Sequence, residues 1–235
     1  MRALKARQSR MQTRGLCSVL ALVSVVVAAP RSSAAEADCA NQIANRVEQR
    51  YEKVRDLSAH FEQTTRRVSL GGPAGDAIVA RGDVVFAKPG RMRWSYQSPE
   101  PSLVVSDGAT LWIYDPTARE VQKLPLAAGY LSAAGVQFLL GEGKLQDEFR
   151  VTASGCGDPI VTLGLTPKRE AQYERLELRI DRGSAAVRET TVVDLFGNRT
   201  TIAFDELREN TKPAASSFAF KPPEGVRVLS LPSGP

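Results

Sequence analysis

From residue 39 to 57, Ile43, Val47, Tyr51 and Val54 recur at four-, four- and three-residue steps, and Arg46, Glu48, Arg50, Glu52, Lys53 and Arg55 fill most positions between them. One apolar stripe on a charged segment predicts an amphipathic helix. The period then changes. Residues 58–68 are polar but β-compatible. Residues 78–86, 92–96, 160–165, 175–180, 187–193 and 200–204 are short β-type runs, punctuated by Lys88-Pro89-Gly90, Gln97-Ser98-Pro99, Asp181-Arg182-Gly183 and Gly197-Asn198. This rhythm predicts an up-and-down antiparallel sheet or barrel. Residues 124–149 break it: they are rich in Ala and Leu and poor in β-branched residues, so short helices broken by Gly129, Gly135 and Gly141 are expected. Residues 218–229 read as a last extended segment turning at Pro222-Pro223.

Residues 104–116, VVSDGATLWIYDP, carry the strongest local signal: Asp107-Gly108 favours the positive φ angles of a tight hairpin turn. A hairpin lying on a core alternates apolar and polar residues. Here Leu103, Val104 and Val105 enter the turn and Leu111, Trp112, Ile113 and Tyr114 leave it, so both faces need apolar cover. On the preceding strand Phe86, Lys88, Gly90, Met92, Trp94 and Tyr96 share one parity and Arg91, Arg93, Ser95 and Gln97 the other. With regular pairing the first set faces inward and the arginines face water. The inward set suits an adaptable apolar pocket, although periodicity alone favours a filled core under the helix.

The first 37 residues stand apart. Arg2, Lys5, Arg7, Arg10 and Arg14 make the start basic, residues 15–29 are uncharged and apolar, and Ala35-Glu36-Ala37 is a small-residue cleavage site. That order predicts a cleaved secretory signal peptide, residues 1–37, followed by one domain, residues 38–235. The apolar run is about 15 residues, short of the ~20 a spanning helix needs. Cys39 follows Glu36-Ala37-Asp38 and lacks the small and apolar residues of a lipidation signal, so a soluble protein of the periplasm is expected. The whole chain holds 31 Lys+Arg against 26 Asp+Glu, but six of those basic residues and one acid lie in the leader, leaving 25 of each. The basic balance therefore gives no case for nucleic acid. Two cysteines remain, Cys39 and Cys156. In an exported chain they permit a disulfide tying the start of the mature protein to its middle; two separated free thiols are the alternative.

Little points to catalysis. The single histidine, His60, sits in a polar stretch and reads as a solvated or hydrogen-bonded strand residue. Gly71-Gly72-Pro73-Ala74-Gly75 lacks the Lys-Ser/Thr ending of a phosphate loop, and the sequence has no metal-ligand cluster, nucleophile elbow or dinucleotide fingerprint. No enzyme, cofactor or metal is expected.

Residues 80–121, ARGDVVFAKPGRMRWSYQSPEPSLVVSDGATLWIYDPTAREV, closely resemble the periplasmic outer-membrane lipoprotein carrier family (LolA). LSAHFEQT after the first helix, LTPK at 165–168 and FAFKPPEGV near the end agree with it in order. The resemblance implies a mainly β (α+β) fold, an unclosed antiparallel β-barrel with an N-terminal helix and short lid helices covering an apolar cavity. It implies a monomeric chaperone for acylated lipoproteins, which an inner-membrane ABC transporter complex releases and an outer-membrane acceptor receives. Phe86, Met92, Trp94, Tyr96, Trp112 and Tyr114 would line the cavity, and Leu131, Phe138, Leu139 and Leu140 would form the lid. Where the family has an arginine that ties lid to barrel, this chain has Lys88, without arginine's planar fork. A weaker latch is expected, and substituting Lys88 by Arg or by Leu should shift lid opening in opposite senses. A regulatory lipid sensor with a similar barrel is the competing reading, but it typically carries an extra domain.

Overall fold

The computed structural model describes residues 32–68, 77–126 and 144–230, with helix side chains from Glu36 onward. The amphipathic stripe forms helix α1, Ser32–Lys53. Ile43, Ala44, Val47 and Tyr51 are buried along it, and Arg50 and Lys53 place positive charge in its last turn, where the helix dipole favours it. The helix starts ahead of residue 39 and runs through Ala35-Glu36-Ala37. It also ends before residue 57, because Leu57 is buried from a strand rather than from the helix.

Strands β1 (Asp56–Arg66), β2 (Ile78–Ala87), β3 (Arg91–Ser98), β4 (Ser102–Asp107), β5 (Thr110–Asp115), β6 (Glu120–Pro125), β7 (Phe149–Ser154), β8 (Ile160–Pro167), β9 (Tyr173–Asp181), β10 (Val187–Asp194), β11 (Arg199–Glu209) and β12 (Arg227–Ser230) follow in chain order. They form one 12-stranded sheet in the order β12-β6-β5-β4-β3-β2-β1-β11-β10-β9-β8-β7. Its two end strands, β12 and β7, do not pair, so the sheet is open, and the expected mainly β, unclosed architecture with an N-terminal helix is present. The neighbouring strands are antiparallel except β12, which lies parallel to β6. No hairpin turn dictates the direction of β12, since its chain reaches β6 from a distant part of the sequence.

Two strands correct the helical expectation for residues 124–149: Leu124 and Pro125 end β6 and Phe149 opens β7. Between them the described residues include one helical turn, α2 (Leu145–Glu148). The expected lid residues Leu131, Phe138, Leu139 and Leu140 lie outside the described residues.

One face of the sheet, the inner face, packs with α1. Leu163, Leu165, Leu176, Leu178, Ile180 and Val187 from β8–β10 join Ile43, Val47 and Tyr51 in a single buried cluster, which continues through Phe61, Phe86, Met92 and Trp94. Helix α1 lies along β7 and β8. Its carbonyl at Tyr51 accepts a bond from Lys88 Nζ at 2.6 Å, and its Tyr51 hydroxyl accepts one from Val187 N at 3.1 Å. Arg46 donates to the carbonyls of Arg182 and Gly183, both at 2.7 Å. Cys39 and Cys156 are joined by a disulfide, their Cα atoms 6.3 Å apart, fixing α1 to the β7–β8 turn. No helix among the described residues is long and apolar enough to cross a membrane.

Candidate functional site

Three cross-strand rows build the inner face of β1–β6. Phe86, Met92, Ser106, Leu111 and Leu124 are paired in one row, and Ala59, Val84, Trp94, Val104, Ile113 and Gln122 in the next. In the third, Phe61, Gly82 and Tyr96 lie opposite one another on β1, β2 and β3. Gly82 has a strict reason to be glycine. A Cβ there would stand 2.0 Å from the Ser95 carbonyl oxygen, and the bare position lets the flanking rings close over it. Phe61 meets Tyr96 edge-on at 5.0 Å and Trp94 at 4.8 Å, and Phe86 meets Trp94 at 5.5 Å, distances at which aromatic pairs attract beyond their buried area.

This aromatic floor grades from sealed to open. Phe86, Met92 and Trp94 are buried, whereas Tyr96, Val104, Ile113 and Leu126 pack against the same cluster while only partly buried. The Tyr96 hydroxyl donates to Gln63 Oε1 at 3.0 Å, and burial raises its pKa above the ordinary phenol value. The tyrosine thus stays neutral and presents a ring edge with its polar atom satisfied.

The six residues expected to share a cavity do not share a face. Phe86, Met92, Trp94 and Tyr96 lie together, but Trp112 and Tyr114 point from β5 to the opposite, outer face, because Leu111 and Ile113 take the inner parity. There Trp112 and Tyr114 meet Phe220, with ring centroids 6.4 and 5.8 Å apart. The expectation that Arg91 and Arg93 face water is corrected for the same reason. The 3₁₀ turn Ala215–Phe218 covers them: Arg91 lies 5.3 Å over the buried Phe218 ring, and Arg93 reaches the Ser217 carbonyl at 3.4 Å. The second apolar face of the hairpin is therefore covered by the protein's own C-terminal segment, with Val105 and Val121 fully buried beneath it.

The Lys88 ammonium is held by the Tyr51 carbonyl at the end of α1, tying the helix to the β2–β3 turn; the lid it was expected to latch lies outside the described residues. Burial pulls the Lys88 pKa down and Glu52 opposes that pull. His60 is exposed on β1, hydrogen-bonded through Nδ1 to Asp83 and 3.7 Å from Glu206. Asp83 also accepts from Gln97 Nε2 at 2.6 Å, an arrangement of surface polar groups on the opposite face of the same strands from the aromatic floor. Sequence reading missed Phe61 and Gln63, which sit in the polar-looking run 58–68. Their signal was parity with the apolar Leu57 and Ala59 on that face.

An unclosed sheet with an aromatic, apolar inner face under an N-terminal helix defines an open-barrel fold. The comparisons with known proteins agree. The sequence profile of the outer membrane lipoprotein carrier protein LolA matches residues 52–221. The outer-membrane lipoprotein carrier protein of Chromobacterium violaceum is 32% identical over 174 residues, covering 74% of this chain and 81% of that one. That of Neisseria meningitidis serogroup C is 28% identical over 221 residues, covering 94% and 99%. Among solved structures, a LolA superfamily protein of Nitrosomonas europaea aligns at a TM-score of 0.44 and 11% identity, covering 77% of this chain and 97% of that one. The chain belongs to the outer membrane lipoprotein carrier (LolA) family.

Proposed function

We propose that this protein is a soluble periplasmic chaperone that binds the acyl chains of lipoproteins leaving the inner membrane and delivers them towards the outer membrane. Membership of the carrier family carries this reading. The physical case is consistent with it: each exposed CH₂ of an acyl chain costs about 0.8 kcal/mol, so a multiply acylated protein needs a shield in water. The inner aromatic floor supplies that shield. An acyl chain enters over Tyr96, Val104, Ile113 and Leu126, the residues already partly open, and wedges against Trp94. Residues 1–37 direct export, and cleavage after Ala37 leaves Asp38 in the first turn of α1, where its charge suits the helix dipole. The oxidising periplasm keeps the Cys39–Cys156 bridge formed. An inner-membrane ABC transporter complex hands over the cargo and an outer-membrane acceptor receives it, with no catalytic step.

The test is release of a labelled triacylated lipoprotein from membranes bearing an energised transporter. Label in the supernatant as a one-to-one complex, reduced by Ile113→Asp in a protein that still melts cooperatively, supports a carrier. Label that stays in the pellet, while free lipid binds the purified protein, supports the competing sensor role and sinks this one.

A further inference from the structure

The β10–β11 turn breaks the usual chemistry of an exposed turn. Its apex is Leu195-Phe196, 66% and 83% exposed, where solubility alone favours residues such as Asn and Gly. The turn is nonetheless firmly built. The Asp194 carboxylate accepts from Phe196 N at 2.8 Å, Asn198 N at 2.9 Å and Asn198 Nδ2 at 2.7 Å, and Gly197 N donates to the Asp194 carbonyl at 3.0 Å. Gly197 sits at φ +86°, which an L side chain rarely adopts. Asn198 in turn receives Val68 N at 2.9 Å, tying the end of β1 to the apex. Val68 and Ile78, 53% and 50% exposed, lengthen the apolar edge. Beside them the side chains of Arg66 and Arg67 are exposed and make no hydrogen bond or ion pair among the described residues, whereas Arg199, opposite Arg66, is engaged by Glu177.

We propose that this turn is a membrane-docking tip: Leu195 and Phe196 insert at the headgroup level of a phospholipid surface while Arg66 and Arg67 meet anionic headgroups. A bilayer fits the observations better than a protein partner does. The apolar residues stand on an exposed turn rather than in a groove, and an aromatic–aliphatic pair flanked by cations that form no ion pair among the described residues is the pattern of interfacial anchoring. The neutral balance of residues 38–235 gives no general attraction to membranes, so contact is local to this end. It is also the end of the sheet towards which Tyr96 lies, close to the end of β3, rather than the Lys88 end. Docking there turns the open side of the aromatic floor towards the lipid surface. The tip itself is read on the cargo-free protein and does not depend on the carrier reading.

The processed protein, purified from the periplasm and its N-terminus verified by mass, is sedimented with vesicles of phosphatidylethanolamine and phosphatidylglycerol or of phosphatidylcholine alone. Binding is expected to the phosphatidylglycerol vesicles. Leu195→Ser with Phe196→Ser should lower partitioning about tenfold or more, the worth of removing an aromatic and an aliphatic side chain from an apolar phase. Arg66→Gln with Arg67→Gln should cost about fivefold per residue and abolish the preference for anionic vesicles. Phe196→Trp should bind like the parent and show blue-shifted emission quenched by brominated lipid. The exposed side chains leave the fold intact, which an unchanged melting curve verifies. Equal partitioning of the parent and the double serine variant overturns the proposal. So does absence of vesicle binding by the parent, and if the serine variant then also loses lipoprotein release, the tip is a protein contact instead.

Discussion

At Gly82 a single hydrogen atom decides whether the aromatic floor can form. With the Ser95 carbonyl 2.0 Å from any Cβ, Gly82→Ala must push β3 away and part Phe61 from Tyr96. We expect a loss of about 1–3 kcal/mol, the usual cost of overpacking, measured by urea unfolding. Gly157→Ala, where a Cβ meets nothing within 4 Å, is the control and should be near neutral. Glu177 illustrates the electrostatic side of the same scale. Burial would raise its pKa, but hydrogen bonds from Arg199 and Arg175 outweigh that and hold it below its ordinary value of 4.5. A depressed carboxyl pKa stabilises the fold fully above the unfolded value and loses that contribution as pH falls through the folded one. Glu177→Gln should therefore cost about 0.5–1 kcal/mol at neutral pH, and the two proteins' urea midpoints should converge below about pH 4.5. A constant gap down to pH 3 would refute the assignment.

Among the elements, the C-terminal segment does most to define the outer face. Phe218, only 2% exposed, sets its ring against the Arg91 guanidinium, and the carboxylate of the buried Asp56 holds the incoming chain through Thr211 N at 2.6 Å and Lys212 N at 3.2 Å. Phe218→Ala should cost about 3–5 kcal/mol by calorimetry or urea unfolding, as for other buried aromatics, and Arg91→Met far less, because its Nε finds no partner among the described residues and its Nη2 makes one bond, to the Lys88 carbonyl. This segment also marks where sequence reading stops. Short β-type runs between turn residues exposed β1–β5 and β8–β11, the β4–β5 hairpin through its Asp107-Gly108 turn rather than through alternation. The same reading missed β6 and β7, which are short and border the Ala/Leu-rich run. Phe149, Val151 and Ala153 do alternate, but too few residues follow the helical composition to outweigh it. The doubly apolar hairpin was legible as a problem. Its solution, Phe218 and Phe220 on one face and the aromatic floor on the other, rests on contacts about a hundred residues away that no local period encodes.

On the scale of the whole molecule, the proposed carrier role gives the sheet's two apolar faces different tasks, and a single experiment separates them. If acyl chains occupy the inner face, a photoreactive benzoyl-phenylalanine at Val104 or Ile113 will cross-link to bound lipoprotein. The same group at Trp112 or Tyr114 will cross-link only within the chain, towards Phe220. The contrast is sharp because Val104 and Ile113 are neighbours of Val105 and Trp112 along the same strands and across the same ladder. Distance from the cargo along the sheet is thus held constant and only the face changes. Equal cross-linking from both faces would mean that the C-terminal segment lifts off to admit cargo. Phe218→Ala should then increase cargo uptake, whereas inner-face binding predicts that it lowers stability and leaves uptake per folded molecule unchanged. The open sheet makes the second outcome the expected one, because β12 and β7 are unpaired with each other and the inner face can widen without breaking a ladder. Displacing Phe218 would instead strip the partly buried Arg91 of its ring and expose the Val105–Val121 layer, a cost that cargo bound elsewhere has no need to meet.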